Sequence, residues 1–406
     1  IAQQEEAWVN TALLQVAEAV NSLIDLNEIL NTIVRLVPML VGVQSVIILI
    51  RDDERQSFVA GPSFGIGTMG RGLLETLEID DQEFRSITSP VANSSFPVDT
   101  VFNLRLPAWL ETVLETPNAH IYPLNAQGRL VGAMMVGMPA KNSQPLTTRR
   151  LNILNGIAHQ AATAVVNNQL YKESAERVRL QQELNVAREI QASFLPDANP
   201  NIPGCDVASM WQAARQVSGD FYDFLPRSDG TWGIVIADVA DKGVPAALFM
   251  ALSRTIIRTV GFNRKDPGEV LMRVNRIINI DAQSDLFVTV FYAVWDPVTK
   301  TVSFANGGHN PPILMSKKGD IRLLKAPGIA LGILPDVDIK TRTVQLRLDD
   351  TLILYTDGVS EAMNEDYDEF GMERLYLTAR SARKSNAQSI VQAISDSIQD
   401  HAGGTP

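Results

Sequence analysis

From Leu154 onward, Ile157, Ala161, Ala164, Asn168, Tyr171, Ala175 and Val178 follow alternating steps of three and four, which commits the middle of the chain to a long helix with a heptad seam. The seam does not stay in phase. Gln182 and Asn185 are polar, and a displaced set, Leu180, Leu184, Ala187, Gln191 and Phe194, takes over the same spacing near Arg179. Pro196, Pro200 and Pro203 then end the helix, because proline lacks the amide hydrogen and clashes with the preceding turn. Length divided by about 150 allows two or three domains in 406 residues, and the helix marks where they part. The expected organisation is a first domain over 1–150, a helical coiled-coil linker over 151–196 and a second domain over 197–406. The seam can meet a second copy in a parallel homodimer, or it can pack on its own domain. Two seams out of phase cannot both lie at the centre of one straight coiled coil without local rotation or unwinding, so the break is a candidate switch.

In the first domain, Leu13, Val16, Val20, Leu23, Leu26, Leu30, Ile33 and Val37 describe one or two amphipathic helices. Val46 to Ile50 is a β-branched run ending in the polar turn Arg51-Asp52-Asp53-Glu54, after which Ser57 to Ala60 can return as a hairpin partner. A second pair, His120 to Leu124 and Leu130 to Met138, is joined through Asn125-Ala126-Gln127-Gly128. Residues 62–117 show no clear period. This order of helix, strands, variable middle and strand pair resembles a GAF domain, a small sensor fold that binds ligands or dimerises. Cys205 lies outside the region, which argues against a cysteine-linked bilin, and the Asn-Lys, Phe, Asp-Glu signature of cyclic-nucleotide binders is not visible. The ligand of this domain is therefore not written in these residues.

Charge and cysteine content narrow the partners. Lys+Arg 35 against Asp+Glu 46 leaves a net charge of −11, which repels nucleic acid and anionic lipid and points to protein partners. A single cysteine excludes an internal disulfide and a cysteine-rich zinc site, as expected of a cytoplasmic protein. No uninterrupted apolar run of about 18–20 residues occurs, so no membrane contact is expected within this stretch. The start at Ile1 without methionine reads as a piece of a longer protein, whose upstream part is open to a membrane segment.

The second domain alternates short β-rich runs with two helical stretches, and its acidic residues sit at strand ends beside glycines. Ser218-Gly219-Asp220-Phe221-Tyr222-Asp223, Trp232 to Val239 with Asp238, and Thr351 to Gly358 with Asp357 each deliver an aspartate where a strand stops. Hard divalent cations such as Mg²⁺ and Mn²⁺ prefer oxygen ligands, so aspartates converging from separate strands suit them. One strand-end aspartate alone is more often a turn residue.

Five blocks in order resemble the metal-dependent PPM (protein phosphatase 2C-like) superfamily, in its bacterial SpoIIE/RsbU-type branch. They are Val217 to Asp223, Ile236 to Leu248, Phe287 to Tyr292, Ala305 to Pro312 and Leu354 to Ala362. The Ala187-Arg188-Glu189-Ile190-Gln191 run before Leu195-Pro196 is similar to the helix preceding that branch's catalytic domain. The resemblance implies an α+β chain: a GAF-type α/β sensor domain, a long coiled-coil linker helix and a PPM-type β-sandwich flanked by helices. It implies two Mn²⁺ or Mg²⁺ ions, with Asp238 bridging them, the Val239 carbonyl as a neighbouring ligand, Asp357 on the first ion and Asp220 on the second. Asp223 and Asp241 take supporting or turn roles. The family commonly has two glycines before the first aspartate, and Ser218 replaces one of them here. A further metal-binding aspartate of the family would follow Pro406, and a chain truly ending there would bind metal weakly.

The implied reaction is in-line attack of a metal-activated water on a phosphoserine or phosphothreonine without a phosphoenzyme. The branch's usual substrate is a phosphorylated STAS-domain anti-anti-sigma factor in a partner-switching pathway. Lacking a cysteine in a basic signature loop and a Gly-Lys-Ser/Thr P-loop, the chain lacks the essential parts of two other phosphate chemistries. A degenerate domain that only binds its partner, and a hydrolase of a small phosphate ester, are the rival readings. His309 could serve as a general acid, but its Gly307-Gly308-His309-Asn310-Pro311-Pro312 surroundings favour a loop-bonding role.

Overall fold

The structure, a computed structural model, describes residues 25–88, 102–137, 146–213, 216–262, 264, 266–281 and 286–403. The apolar positions read at Leu13, Val16, Val20 and Leu23 lie outside these residues, as does Met138. The described chain forms two compact units that part between Val178 and Arg179.

In the first unit, helix α1 (Leu26–Val41) starts where the Asp25 carboxylate accepts the Asn27 amide hydrogen, and it stops where Gly42 turns left-handed at φ 74°. Strands β1 (Ser45–Asp52) and β2 (Ser57–Phe64) pair antiparallel as the sequence predicts. So do β5 (Asn118–Ala126) and β6 (Arg129–Gly137), through Gln127 and Gly128 at φ 51° and 76°, the paired positive values of a tight hairpin turn. With β3 (Glu78–Asp80) and β4 (Phe102–Arg105) they make a six-stranded sheet in the order β3-β2-β1-β6-β5-β4. Alternation along β1 sends Val46 and Ile48 into the core shared with α1, and Ile47 and Leu49 into a second core on the opposite face. That second core also holds Leu74 of α2 (Thr68–Leu74), Phe84 of α3 (Asp81–Thr88) and Leu110 of α4 (Ala108–Leu114). These helices have 7, 8 and 7 residues, too short for a helical period to register in sequence, which is why residues 62–117 resist reading.

Helix α5 (Thr148–Ala192) runs for 45 residues. The first half of its seam packs on its own domain: Ile157, Ala161 and Ala164 are buried in the core that holds α1. Tyr171 and Val178, farther along the same seam, are 72% and 54% exposed. Gln191, read as part of the displaced seam, is instead buried within the second unit at 3% exposure, while its neighbours Ile190 and Phe194 are exposed.

The second unit stacks two sheets. Strands β7 (Phe221–Pro226), β8 (Trp232–Val239), β9 (Val288–Asp296), β10 (Thr301–Gly307) and β13 (Arg342–Gln345) form the larger, in the order β13-β10-β9-β8-β7, and every pair is antiparallel. The smaller has β12 (Ile321–Leu323), β11 (Ile313–Met315) and β14 (Thr351–Ile353) in that order. Phe291, Trp295 and Phe304 of the large sheet pack with Leu314, Leu324 and Leu352 between the two. Helices α6 (Val244–Gly261) and α7 (Pro267–Asp281) cover the outer face of the large sheet. A four-residue helix, α8 (Asp357–Ser360), follows β14, and α9 (Gly371–Ala382) and α10 (Ala387–Ala402) share a core with the small sheet. The helix-flanked pair of sheets is the architecture that the resemblance implies.

One face differs. The apolar positions Ala247, Leu248, Ala251, Leu252, Ile256 and Val260 suggest the sheet-facing side of α6; Ile256 and Val260 do pack on the core, yet Ala246, Phe249, Met250, Ser253 and Ile257 are the buried ones, and Leu248 is 68% exposed. The rotation follows from what the sheet accepts. The bulkier Phe249 and Met250 fill the core, and Arg254 and Arg258, on the Met250 ridge, reach the buried carboxylate of Asp223 at 3.1 and 2.7 Å. By length and composition alone α6 is the one described helix apolar enough to cross a membrane.

Asp223 is 2% exposed. Removing one member of a buried ion pair strands the other's charge, and Arg258 is half-exposed, so Asp223→Ala is expected to cost about 3 kcal/mol, the low end for such pairs. Calorimetry should show the second unit's transition falling by roughly 6–12 °C. A fall under about 2 °C would show that the pair contributes little.

Candidate metal centre

The antiparallel register of β7 and β8 places Phe221 opposite Ala237, so the residue just before β7, Asp220, and the penultimate residue of β8, Asp238, meet at one edge of the large sheet. Asp220 thus lies at the start of its strand, not at its end as read from sequence. Alternation along β8 puts Val235, Ala237 and Val239 on the helix side and Ile234, Ile236 and Asp238 on the side facing the small sheet. The small sheet answers with Asp357, which stands beyond β14 as the first residue of α8. Its neighbour Thr356 donates its hydroxyl to Asp220 Oδ2 at 2.8 Å. Three carboxylates from two sheets therefore face a common edge.

Their electrostatics are strained. Burial, a hydrogen bond shared with Asp220, and the charges of Asp220, Asp357 and Glu361 push the Asp238 carboxyl up to about 8. Burial also raises Asp220, against the hydrogen bonds from Asp238 and Thr356 that favour its charged form. Among the described residues, no cation is one of the main groups that shift either one. The cluster is thus short of positive charge, which a proton or a divalent cation supplies. Among the described residues no three acidic, histidine or cysteine side chains stand close enough together to hold a metal ion between them. Mg²⁺ and Mn²⁺ do not need three, since such ions keep several waters and take one or two protein carboxylates. The oxygen-only donor set and its excess negative charge fit these ions.

The turn that carries Asp220 is shaped by close contacts. A Cβ on Gly219 would sit 2.7 Å from the Val239 carbonyl oxygen, so only glycine lets the turn lie against β8 there. Ser218 fills the place of the family's other glycine, and its Oγ accepts the Asp220 amide hydrogen at 3.1 Å, bracing the turn. The Trp211 indole donates to the Asp220 carbonyl at 3.0 Å, and the Gln191 carboxamide holds both backbone groups of Ser218.

The other candidates fall elsewhere. Asp223 shares the helix-facing side of β7 with Phe221 and Leu225 and pairs with arginines, on the opposite face from Asp238. Asp241, at φ 81°, accepts the Lys242 amide hydrogen at 2.7 Å, a turn role. His309 is 5% exposed and bonds through Nδ1 to the Thr289 hydroxyl at 2.8 Å, while Asn306 brackets its backbone. Burial pushes its imidazole down to about 4 against a weaker contact with the Tyr355 backbone, so it is neutral near pH 7 and ill suited to donate a proton. The sequence reading missed Thr356, Glu361 and Gln191 as neighbours of the site. Glu361 sits in a quoted motif, but the tie between Thr356 and Asp220 crosses between sheets and has no local signature.

A helix-flanked pair of antiparallel sheets with carboxylates at one edge is the architecture of the PP2C-like phosphatases. Residues 228–406 match the family model for Stage II sporulation protein E (SpoIIE), and residues 25–167 match the GAF domain model. The chain joins a GAF domain to a SpoIIE-type PP2C phosphatase domain. It is 32% identical over 240 residues to protein IcfG of Synechocystis sp., covering 52% of this chain and 38% of that protein. It is 31% identical over 222 residues to phosphoserine phosphatase RsbU of Bacillus subtilis, covering 54% and 65% respectively. The chain therefore spans less than two thirds of the length of either relative. The solved SiaA-PP2C domain of Pseudomonas aeruginosa shares its fold, with a TM-score of 0.52 at 22% identity over 57% of this chain and 94% of that one.

Proposed function

We propose that the chain is a metal-dependent protein serine/threonine phosphatase controlled by its GAF domain, acting on a phosphorylated STAS-domain anti-anti-sigma factor in a bacterial partner-switching pathway. The convergence of Asp220, Asp238 and Asp357 on one sheet edge, with Asp238 pushed up to about 8, carries this function. Likeness to phosphoserine phosphatase RsbU supports the substrate class. Asp238 would bridge two Mn²⁺ or Mg²⁺ ions, with the Val239 carbonyl beside it, Asp357 on the first ion and Asp220 on the second. Such ions, when bound, activate water for in-line attack and neutralise phosphoryl oxygens. Asp220 precedes the matched residues 228–406, and its role rests on its bonds to Thr356 and Asp238. The Thr356 hydroxyl orients one oxygen of Asp220. The domains are proposed at 1–150, 151–196 and 197–406, with the exposed Tyr171 and Val178 of α5 meeting a second copy in a parallel homodimer.

Activity should require Mn²⁺ or Mg²⁺. With a phosphoserine protein as substrate, excess chelator is expected to abolish turnover and added Mn²⁺ to restore it. Full turnover in chelator would sink the metal mechanism, and hydrolysis of small phosphate esters alone would favour the rival substrate class.

A further inference from the structure

The linker helix is tied to the candidate metal site by one side chain. Gln191, in the last turn of α5, donates through Nε2 to the Ser218 carbonyl at 2.6 Å and accepts the Ser218 amide hydrogen through Oε1 at 3.0 Å. A carboxamide is the group that can do both at once, since the backbone of one residue presents one donor and one acceptor. The partners also fix which end of the side chain is oxygen. Gln191 is 3% exposed although residues on either side of it face solvent, so it is turned inward for this contact. Ser218 in turn holds the Asp220 amide hydrogen through its hydroxyl at 3.1 Å, and Asp220 meets Thr356 at 2.8 Å. A continuous run of hydrogen bonds therefore leads from the end of the linker to a carboxylate of the site.

The geometry points to Gln191 as a positioning residue, through which the last turn of the linker helix sets the place of the Asp220 carboxylate and hence the affinity of the site for a divalent cation. This rests on the metal-dependent reading above. Gln191 touches no reacting atom. Its action runs through Ser218, and a displaced or rotated helix end carries Ser218 with it. The competing account is that Gln191 only seals a buried helix end, in which case its loss changes stability and leaves the cation site as it was.

The experiment uses the full chain and Gln191→Leu, which keeps the volume and deletes both bonds. Mn²⁺ affinity is read by calorimetry and by the electron paramagnetic resonance of free Mn²⁺, and turnover is measured at limiting and saturating Mn²⁺. The expected result is a Kd for Mn²⁺ raised about 10- to 100-fold, the usual cost of losing a group that orients a ligand, with turnover at saturating Mn²⁺ recovering most of the parent value. Gln191→Glu keeps the acceptor for the Ser218 amide and should fall between the two; it decides the matter if the leucine variant does not fold. Asp223→Ala, destabilised through a different contact, should bind Mn²⁺ as the parent does. An unchanged Kd in a folded Gln191 variant overturns the proposal, as does an equal weakening in Asp223→Ala. A parent that binds no Mn²⁺ would instead overturn the metal-dependent reading on which the proposal rests.

Discussion

Replacing Asp238 by asparagine is expected to lower metal-dependent turnover on the order of 10³-fold, about 4 kcal/mol of barrier, while leaving the metal-free protein at least as stable as before. The size follows from the position. Asp238 is the carboxylate that Asp220, Asp357 and Glu361 all act on, and in the proposed role of a group shared between two cations its loss costs more than the roughly 10- to 100-fold that follows removal of a merely orienting residue. The stability half follows from the same burial. Without a cation the carboxyl already resists ionising, so a neutral side chain of equal shape removes repulsion without opening a cavity. Near-normal Mn²⁺-dependent turnover would refute the bridging assignment, and a large fall in the melting temperature of the metal-free protein would mean that the loss came from misfolding.

Mn²⁺ affinity should rise steeply with pH. Asp238 is pushed up to about 8, so below that value the metal-free site holds a proton that a cation must displace. The one Asp238 proton released as the first ion binds makes the apparent affinity for that ion climb about tenfold per pH unit, roughly 100-fold between pH 6 and pH 8, and level off above. Stability of the metal-free protein moves the other way. Its folded state keeps a proton that the unfolded chain releases near the ordinary carboxylate value of about 4, so stability falls as pH rises from there towards 8. Titrations of Mn²⁺ at several pH values, in buffers of different ionisation enthalpy, count the protons directly. A flat affinity across this range would mean that Asp238 is not displaced from its proton by the cation.

Much of the second unit was legible because its signals are local. An apolar strand that stops at Asp238, or a Ser218-Gly219-Asp220 turn before Phe221, carries its chemistry within a few residues, and the antiparallel register then brings the two together. The face of α6 was not legible, because either of two adjacent stripes is apolar and the choice is made by volume and by Asp223 on another strand. The seam of α5 misleads in a related way. Small residues at Ala161 and Ala164 satisfy a heptad equally well against a second helix or against the chain's own core, and here they meet the core. Gln191 keeps the seam's spacing, yet its partner is a backbone segment 27 residues later. Periodicity records which way a side chain points. It does not record what it meets.

The two sheets contribute unequally to the carboxylate edge. Asp220 and Asp238 come from neighbouring strands of one hairpin and can approach each other as soon as β7 and β8 pair, whereas Asp357 arrives from β14 near the far end of the domain. Local pairing closes short loops early and distant pairing closes long ones late. A cation held by both groups would therefore fasten the last-assembled layer to the first, and its binding free energy would act as cohesion between the sheets as well as catalytic equipment. Metal supply would then govern how completely the catalytic domain is assembled, in addition to how fast it turns over.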